Sequence, residues 1–199
     1  MRWGVITFPG SCDDQDVIDS LKLDLDQKVK PLWHKDELAG NFDCLVLPGG
    51  FSYGDYLRCG AMARFSPIMR GVVKFAQSGG LVLGICNGFQ ILCESGLLPG
   101  ALVRNAGLQF ICQPVQLRVE ETDSAFTGGL KKGQLLKMPV KHGEGCYYAD
   151  PQTFERLQKT ARSCSATSMS KANRRWPPIP TARWTTSPAF AMNGATSLA

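Results

Sequence analysis

The sequence lacks several features that define common protein classes. No stretch of about 18 consecutive apolar residues occurs, so we expect no membrane-spanning helix and no membrane partner. The first residues, Met1 to Ile6, have neither a long apolar core nor a small-residue cleavage site, so we expect no signal peptide. None of the eight cysteines stands in a Cys-x-x-Cys pair, which argues against zinc ribbons and thioredoxin-like redox sites. We therefore expect a cytoplasmic protein with free thiols and no metal site.

Acidic residues are missing from the last fifth of the chain. The formal net charge is +5, and residues 161–199 hold five basic residues and no acidic one, so the excess charge lies there alone. Alanine, serine, threonine and proline dominate this stretch, which cannot bury enough apolar surface to offset the entropy of ordering. We predict a folded domain over 1–160 and a disordered, basic, low-complexity tail over 161–199. Because the charge belongs to the tail, it does not indicate a nucleic-acid-binding face.

Short apolar runs alternate with amphipathic stretches up to about residue 160. The runs typical of strands are Val5–Phe8, Val29–Trp33, Cys44–Leu47, Leu81–Leu83, Phe110–Val119 and Met138–Lys141. Helical spacing of apolar residues occurs over 13–25, 61–78 and 89–96. Apolar strands separated by helices predict an α/β fold with a mostly parallel sheet and helices on both faces. Functional sites in such sheets lie at the carboxyl ends of the strands.

Glycine-rich loops follow two of the predicted strands. Gly84–Gly88, with the sequence G-I-C-N-G, fits G-x-C-x-G between a strand and a helix, which is the context of a nucleophile elbow with sulfur replacing the serine hydroxyl. A cysteine there lies near a helix N-terminus, which favours the thiolate, and the Asn87 N–H is placed to bind an oxyanion. Gly49 and Gly50 predict the other half of an oxyanion hole. A buried structural cysteine and an ordinary glycine turn are the alternatives that the two motifs leave open.

Four longer segments carry a resemblance to one enzyme family that runs from about residue 3 to 160. They are LPGGFSYGDYLRCGAMARFSPIM, LGICNGFQIL, FICQPVQL and PVKHGEG. They resemble the glutaminase subunit of phosphoribosylformylglycinamidine synthase, a class I (triad) glutamine amidotransferase with a flavodoxin-like fold. The resemblance implies glutamine hydrolysis through a thioester on Cys86. The implied substrate-binding residues are Gly49, Gly50, Asn87, Gly88 and Gln90.

The resemblance also implies partners. Ammonia released from glutamine would pass to a large, ATP-dependent synthetase subunit in de novo purine (IMP) biosynthesis, and a small accessory subunit would complete the complex. ATP binding and the ligase step would belong to the synthetase, so this chain itself would hold no cofactor. Neither nucleic acid nor a membrane is implied as a partner.

The base expected beside such a cysteine is absent. The family carries P-H-P-E-R near its C-terminus, in which histidine is the acid–base group and glutamate orients it, whereas this chain contains only His34 and His142. His34 fits a structural core or surface histidine. His142, in the segment H-G-E-G, is the alternative base. The alternative function is a catalytically impaired pseudoenzyme or binding subunit, which holds the synthetase without releasing ammonia.

We predict that a shifted reading frame accounts for the composition of the tail. When the last base of each codon is joined to the first two of the next, Trp184-Thr185 must read Asp and Met192-Asn193 must read Glu. The other codons permit V-V-F-R-Y-V-D-E-Q-G and L-D-N-I-A-G-I-C-N-E-R-G-N-V, which resemble the family's sequence just before P-H-P-E-R. We therefore expect an out-of-frame C-terminus and an incomplete fold in that part of the chain. A native basic tail is the alternative.

Overall fold

The computed structural model describes residues 1–119, 122–159, 163–168, 180–182 and 189–192. The strands are β1 (Arg2–Thr7), β2 (Lys28–Trp33), β3 (Cys44–Leu47), β4 (Leu81–Ile85), β5 (Ala101–Val103), β6 (Ile111–Val119), β7 (Leu135–His142), β8 (Cys146–Tyr148), β9 (Ser163–Ser168), β10 (Pro180–Ala182) and β11 (Ala189–Met192). The α-helices are α1 (Asp14–Asp19), α2 (Cys59–Ala63), α3 (Pro67–Gln77), α4 (Asn87–Glu94) and α5 (Pro151–Lys159). The chain divides into two compact units, Met1–Pro99 with Thr186–Ala199, and Gly100–Thr185. In the described ranges, no helix has both the length and the apolar character needed to cross a bilayer.

A five-stranded parallel sheet forms the first unit. Its strand order is β11-β4-β3-β1-β2, and each neighbouring pair runs parallel. The four predicted strands of this part are confirmed as β1 to β4. The edge strand β2 contains Pro31, which a central strand could not accommodate without losing a ladder hydrogen bond.

Helices cover both faces of this sheet. On one face, Val5 and Val46 form a core cluster with Ile18 of α1, and Leu83 packs against that cluster. Side chains alternate along a strand, so Gly84 faces the opposite side, where a Cβ atom would lie 2.6 Å from Leu92 of α4. The predicted α/β arrangement is therefore confirmed, with α1 and α4 on opposite faces.

The long helix predicted over 61–78 is wrong, because it is two helices. Helix α2 ends at Ala63, and α3 begins at Pro67 as its first residue. Ser66 is extended, with φ −61° and ψ 138°, because the ring of a following proline clashes with a helical residue before it. Proline is well suited to the first position of a helix, so Pro67 both ends the helical run of apolar residues and begins α3.

The second unit is built on antiparallel pairs. One sheet has the order β10-β9-β6-β7, and β5 pairs separately with β8. The two later strands predicted from the sequence are confirmed as β6 and β7. Their antiparallel pairing was not predicted, because an apolar run carries no signal of the direction of its partner.

The predicted tail lies mostly outside the described residues. Within 161–199, the structure describes only β9, β10 and β11, and β11 pairs in parallel with β4. The predicted boundary at residue 160, the disorder of the tail and the shifted frame stay predictions.

Candidate active site at the cysteine elbow

Cys86 occupies the turn between β4 and α4. Its backbone has φ 51° and ψ −106°, a conformation that costs an ordinary residue on the order of 1–3 kcal/mol and is found mostly at functional sites. The carbonyl oxygen of Cys86 accepts hydrogen bonds from the N–H groups of Phe89 at 3.0 Å and Gln90 at 3.2 Å, which starts the helix. The side chain is partly exposed. The thiol therefore lies in the strand–turn–helix context that the sequence predicted.

Two glycines allow this sharp turn to pack. A Cβ atom on Gly84 would lie 2.7 Å from the carbonyl oxygen of Gly88, and a Cβ atom on Gly88 would overlap the carbonyl oxygen of Leu47 in β3. Helix α4 can approach the sheet this closely only because both side chains are missing. The structure thus gives Gly88 a packing role, and its predicted contact with substrate stays a prediction.

The Gly49-Gly50 pair lies beside Cys86 at the end of β3. A Cβ atom on Gly49 would be 2.9 Å from the Cβ atom of Cys86. Gly50 has φ +89°, and a side chain there would meet the backbone nitrogen of Cys12 at 2.8 Å. The Cys12 N–H also donates to the Gly50 carbonyl at 2.9 Å. The loop after β3, with Gly49 and Gly50, therefore meets the elbow after β4 at Cys86. An oxyanion hole needs this arrangement, because its N–H donors must lie beside the nucleophile.

Asn87 links the elbow to the loop that follows Gly50. Its side chain is 2% exposed, and its Oδ1 accepts from the Ser52 N–H at 3.2 Å. Its Nδ2 donates to Asp55 Oδ1 at 2.9 Å and to Gln90 Oε1 at 3.0 Å. The same Gln90 oxygen accepts from the buried Cys59 thiol at 2.7 Å. The predicted residues Asn87 and Gln90 thus lie together, with their side chains engaged by each other and by the loop.

Asp55 also lies at this site, although the sequence assigned it no role. Partial burial raises the pKa of its carboxyl group, and the hydrogen bond from Asn87 opposes that shift. The only signal was an acidic residue at the end of a glycine-rich loop, and nothing in the sequence identified its partner. Across the described ranges, no group of three or more His, Cys, Asp or Glu side chains is arranged to hold a metal ion.

The two histidines lie in different hydrogen-bond clusters. His34 is buried, and its Nδ1 lies 3.0 Å from Ser66 Oγ and 3.2 Å from Tyr53 Oη, which fits the expected core histidine. His142 belongs to the second unit, where its Nδ1 lies 3.0 Å from Asn105 Oδ1. Burial lowers the pKa of both imidazoles. The use of His142 as a base stays a prediction.

Comparison with known families defines the class of this site. Residues 2–174 match the model of the CobB/CobQ-like glutamine amidotransferase domain. Together with the parallel sheet and the cysteine elbow, this match identifies the class as that of the glutamine amidotransferases.

Individual relatives narrow the class to one family. The chain is 59% identical over 158 residues to the phosphoribosylformylglycinamidine synthase subunit PurQ of Moorella thermoacetica, covering 79% of this chain and 67% of that protein. It is 56% identical to the PurQ subunit of Alkaliphilus metalliredigens, covering 79% of this chain and 70% of that one. The solved structure of PurLQS from Thermotoga maritima superimposes with a TM-score of 0.80 at 33% identity, covering 97% of this chain and 86% of that one. The chain belongs to the PurQ family of phosphoribosylformylglycinamidine synthase subunits.

Proposed function

We propose that this chain is the glutaminase subunit of a phosphoribosylformylglycinamidine synthase and that Cys86 is its nucleophile. The observation that carries the proposal is the positive-φ backbone of Cys86 between β4 and α4, with Gly49 packed against its Cβ atom. This geometry presents a thiol at the start of a helix, where N–H groups have no acceptor within the helix. The relatives named PurQ support the assignment to purine biosynthesis.

The chemistry is acyl transfer from nitrogen to sulfur and then to water. The Cys86 thiolate adds to the side-chain carboxamide carbon of glutamine, and the carbonyl oxygen becomes an oxyanion held by the N–H groups of Gly50 and Asn87. The carbon–nitrogen bond then breaks, the nitrogen takes up a proton, and ammonia leaves a glutamyl thioester. Water adds to the thioester, and glutamate departs as the thiol is restored. Gly88 and Gln90 complete the proposed substrate site.

The proton-transfer steps of this mechanism lack the family's acid–base residues in this sequence. The histidine and glutamate of P-H-P-E-R do not occur among residues 1–199, so this sequence supplies no acid–base pair of that motif for the leaving nitrogen. Loss of a positioned acid–base group costs on the order of 10²- to 10⁴-fold in rate. We expect turnover to be reduced by that factor.

The ammonia requires an acceptor on another subunit. We propose that this chain associates with a large synthetase subunit, which binds ATP and carries out the ligase step, and with a small accessory subunit. The solved neighbour is titled PurLQS, which supports association with other subunits of the synthase. The proposed compartment is the cytoplasm.

Alkylation by a chloromethyl ketone analogue of glutamine tests the nucleophile. We expect the reagent to modify Cys86, glutamine to protect that residue, and Cys86→Ser to abolish the modification. Cys12→Ser is the matched control, because Cys12 is exposed and lies on the neighbouring loop. Modification spread over exposed thiols without protection by glutamine would contradict the proposal. Specific labelling without any glutamate release in the presence of the synthetase would favour the pseudoenzyme instead.

A further inference from the structure

The loop from Gly50 to Asp55 is strained. Five of its backbones are left-handed, and three of them belong to residues other than glycine, namely Phe51 with φ 62°, Tyr53 with φ 56° and Asp55 with φ 53°. Bulky residues rarely adopt this conformation unless surrounding contacts impose it. The loop begins at Gly50, which supplies one half of the proposed oxyanion hole, so whatever holds the loop also holds that N–H group.

The contacts that hold the loop against the elbow converge on Asn87. This side chain fixes the first residue of the 3₁₀ turn Ser52–Asp55 through the Ser52 N–H, and it fixes the last through the Asp55 carboxylate. It stands directly after Cys86 in the sequence. One buried amide thus joins the two halves of the proposed oxyanion hole.

Asp55 determines which way the Asn87 amide points. The two N–H bonds of Nδ2 go to Asp55 Oδ1 and Gln90 Oε1, both of which are acceptors, while Oδ1 faces the donor at Ser52. A flipped amide would set oxygen against oxygen twice and nitrogen against N–H once. A carboxylate acceptor forms a stronger hydrogen bond than a neutral amide oxygen, so Asp55 is the firmer of the two anchors.

We propose that Asp55 is a positioning residue for glutamine hydrolysis, which acts through Asn87 to hold the Gly50 and Asn87 N–H groups in register beside Cys86. The proposal rests on the function proposed above. Asp55 acts on the geometry around the developing oxyanion, whereas the exposure of the thiol depends on the elbow itself. Its loss should therefore impair reactions that develop an oxyanion more than simple alkylation.

Two electrophiles that react with Cys86 separate the binding of the oxyanion from the exposure of the thiol. Iodoacetamide reports thiolate content and access, because its displacement of iodide develops no charge on a carbonyl oxygen held by the site. The chloromethyl ketone analogue of glutamine also requires the carbonyl oxygen to be bound. The quantity measured is the ratio of the two rate constants at Cys86, with the fold checked by circular dichroism.

Three variants of the full chain make the test. Asp55→Ala should lower the ratio by about tenfold or more, since misplacing oxyanion donors costs part of the 10²- to 10³-fold lost when one is deleted. Asp55→Asn keeps an acceptor for Asn87 but removes the charge, so it should lower the ratio by only about two- to threefold. Asp24→Ala is the control, because Asp24 is an exposed acid away from the elbow, and it should leave the ratio unchanged.

The outcomes distinguish the two proposals. An unchanged ratio in folded Asp55→Ala, in a protein that does react selectively with the glutamine analogue, would overturn the positioning role alone. A starting protein without any preference for the analogue would overturn the glutaminase proposal. Should Asp55→Ala fail to fold, Asp55→Asn decides, because its weaker neutral hydrogen bond should lower the ratio by about two- to threefold. A ratio equal to that of the unsubstituted protein would then refute the positioning role.

Discussion

The carbonyl oxygen of Leu47 lies where the first side-chain atom of any other residue at position 88 would have to stand. Both groups belong to regular elements, β3 and α4, so neither can move without separating the helix from the sheet. The distance between the cysteine elbow and the centre of the sheet is therefore set by the missing side chain of Gly88.

Gly88→Ala should destabilise the first unit severely. Overpacking in a core costs about 1–3 kcal/mol when side chains can adjust, and here the clash is with backbone, so we expect at least the upper figure. Urea unfolding measures the change. Gly107→Ala is the control, because a Cβ atom there would meet nothing within 4 Å, and it should shift the unfolding free energy by less than about 0.5 kcal/mol. Equal stabilities of the two variants would contradict the packing argument.

Gly50→Ala should impair the site through a clash rather than through backbone strain alone. A methyl group there meets the backbone of Cys12 and Asp13. Gly79→Ala is a matched control, since Gly79 has a similar φ of +97° and open space around the position of a Cβ atom. We expect the rate of Cys86 modification by the glutamine chloromethyl ketone to fall about 10²-fold in Gly50→Ala, as for loss of one oxyanion donor. Gly79→Ala should keep the rate.

Cysteines in the core should resist alkylation in the folded protein. Burial raises the pKa of Cys44 to about 12 and that of Cys93 to about 12, so almost no thiolate exists at pH 8. Iodoacetamide followed by peptide mass spectrometry should find Cys86 modified, while Cys44 and Cys93 react only after urea is added. Rapid modification of either core thiol in native buffer would mean that the first unit opens readily.

Stability should fall in mildly acidic solution because of His34. Desolvation lowers the pKa of its imidazole, with Lys35 adding to this effect and Asp36 opposing it. The unfolded chain therefore binds the proton more readily, so stability is full above the ordinary histidine pKa of about 6.5 and is lost as the pH falls through the lower folded value. In urea unfolding between pH 7.5 and 5.5, His34→Gln should show a shallower decline than the unsubstituted protein. His142, whose pKa is also lowered, should keep part of the slope. Parallel pH profiles would exclude His34 as a source of the decline.

The coding DNA should contain a frame change near codons 155–165. The motivating observation is the abrupt loss of acidic residues after 160 together with a shifted peptide that resembles the family. Restoring the frame should bring back P-H-P-E-R and raise glutaminase turnover by the 10²- to 10⁴-fold attributed to acid–base catalysis. A continuous frame in independent reads, with no related peptide in the shifted frame, would favour a native basic tail.

Local patterns in the sequence were sufficient for six of the strands and for the elbow. Apolar runs predicted β1 to β4, β6 and β7, and the glycines around Cys86 predicted the strand–turn–helix context. Pro67 was also a local signal for the start of a helix. The helical spacing of apolar residues continues across it, however, and conceals the break between α2 and α3. The division into two units had no comparable signal, because it depends on which strands pair and in which direction.

The sequence by itself determined the strands β1 to β4, β6 and β7 and the place of the thiol, because each depends on residues adjacent in the chain. Only the tertiary structure decided that Asn87 would bind both Ser52 and Asp55 across more than thirty positions. Side-chain hydrogen bonds of this kind depend on strand order and loop conformation together. Their partners are chosen by the packing of β3 beside β4, which no local pattern encodes.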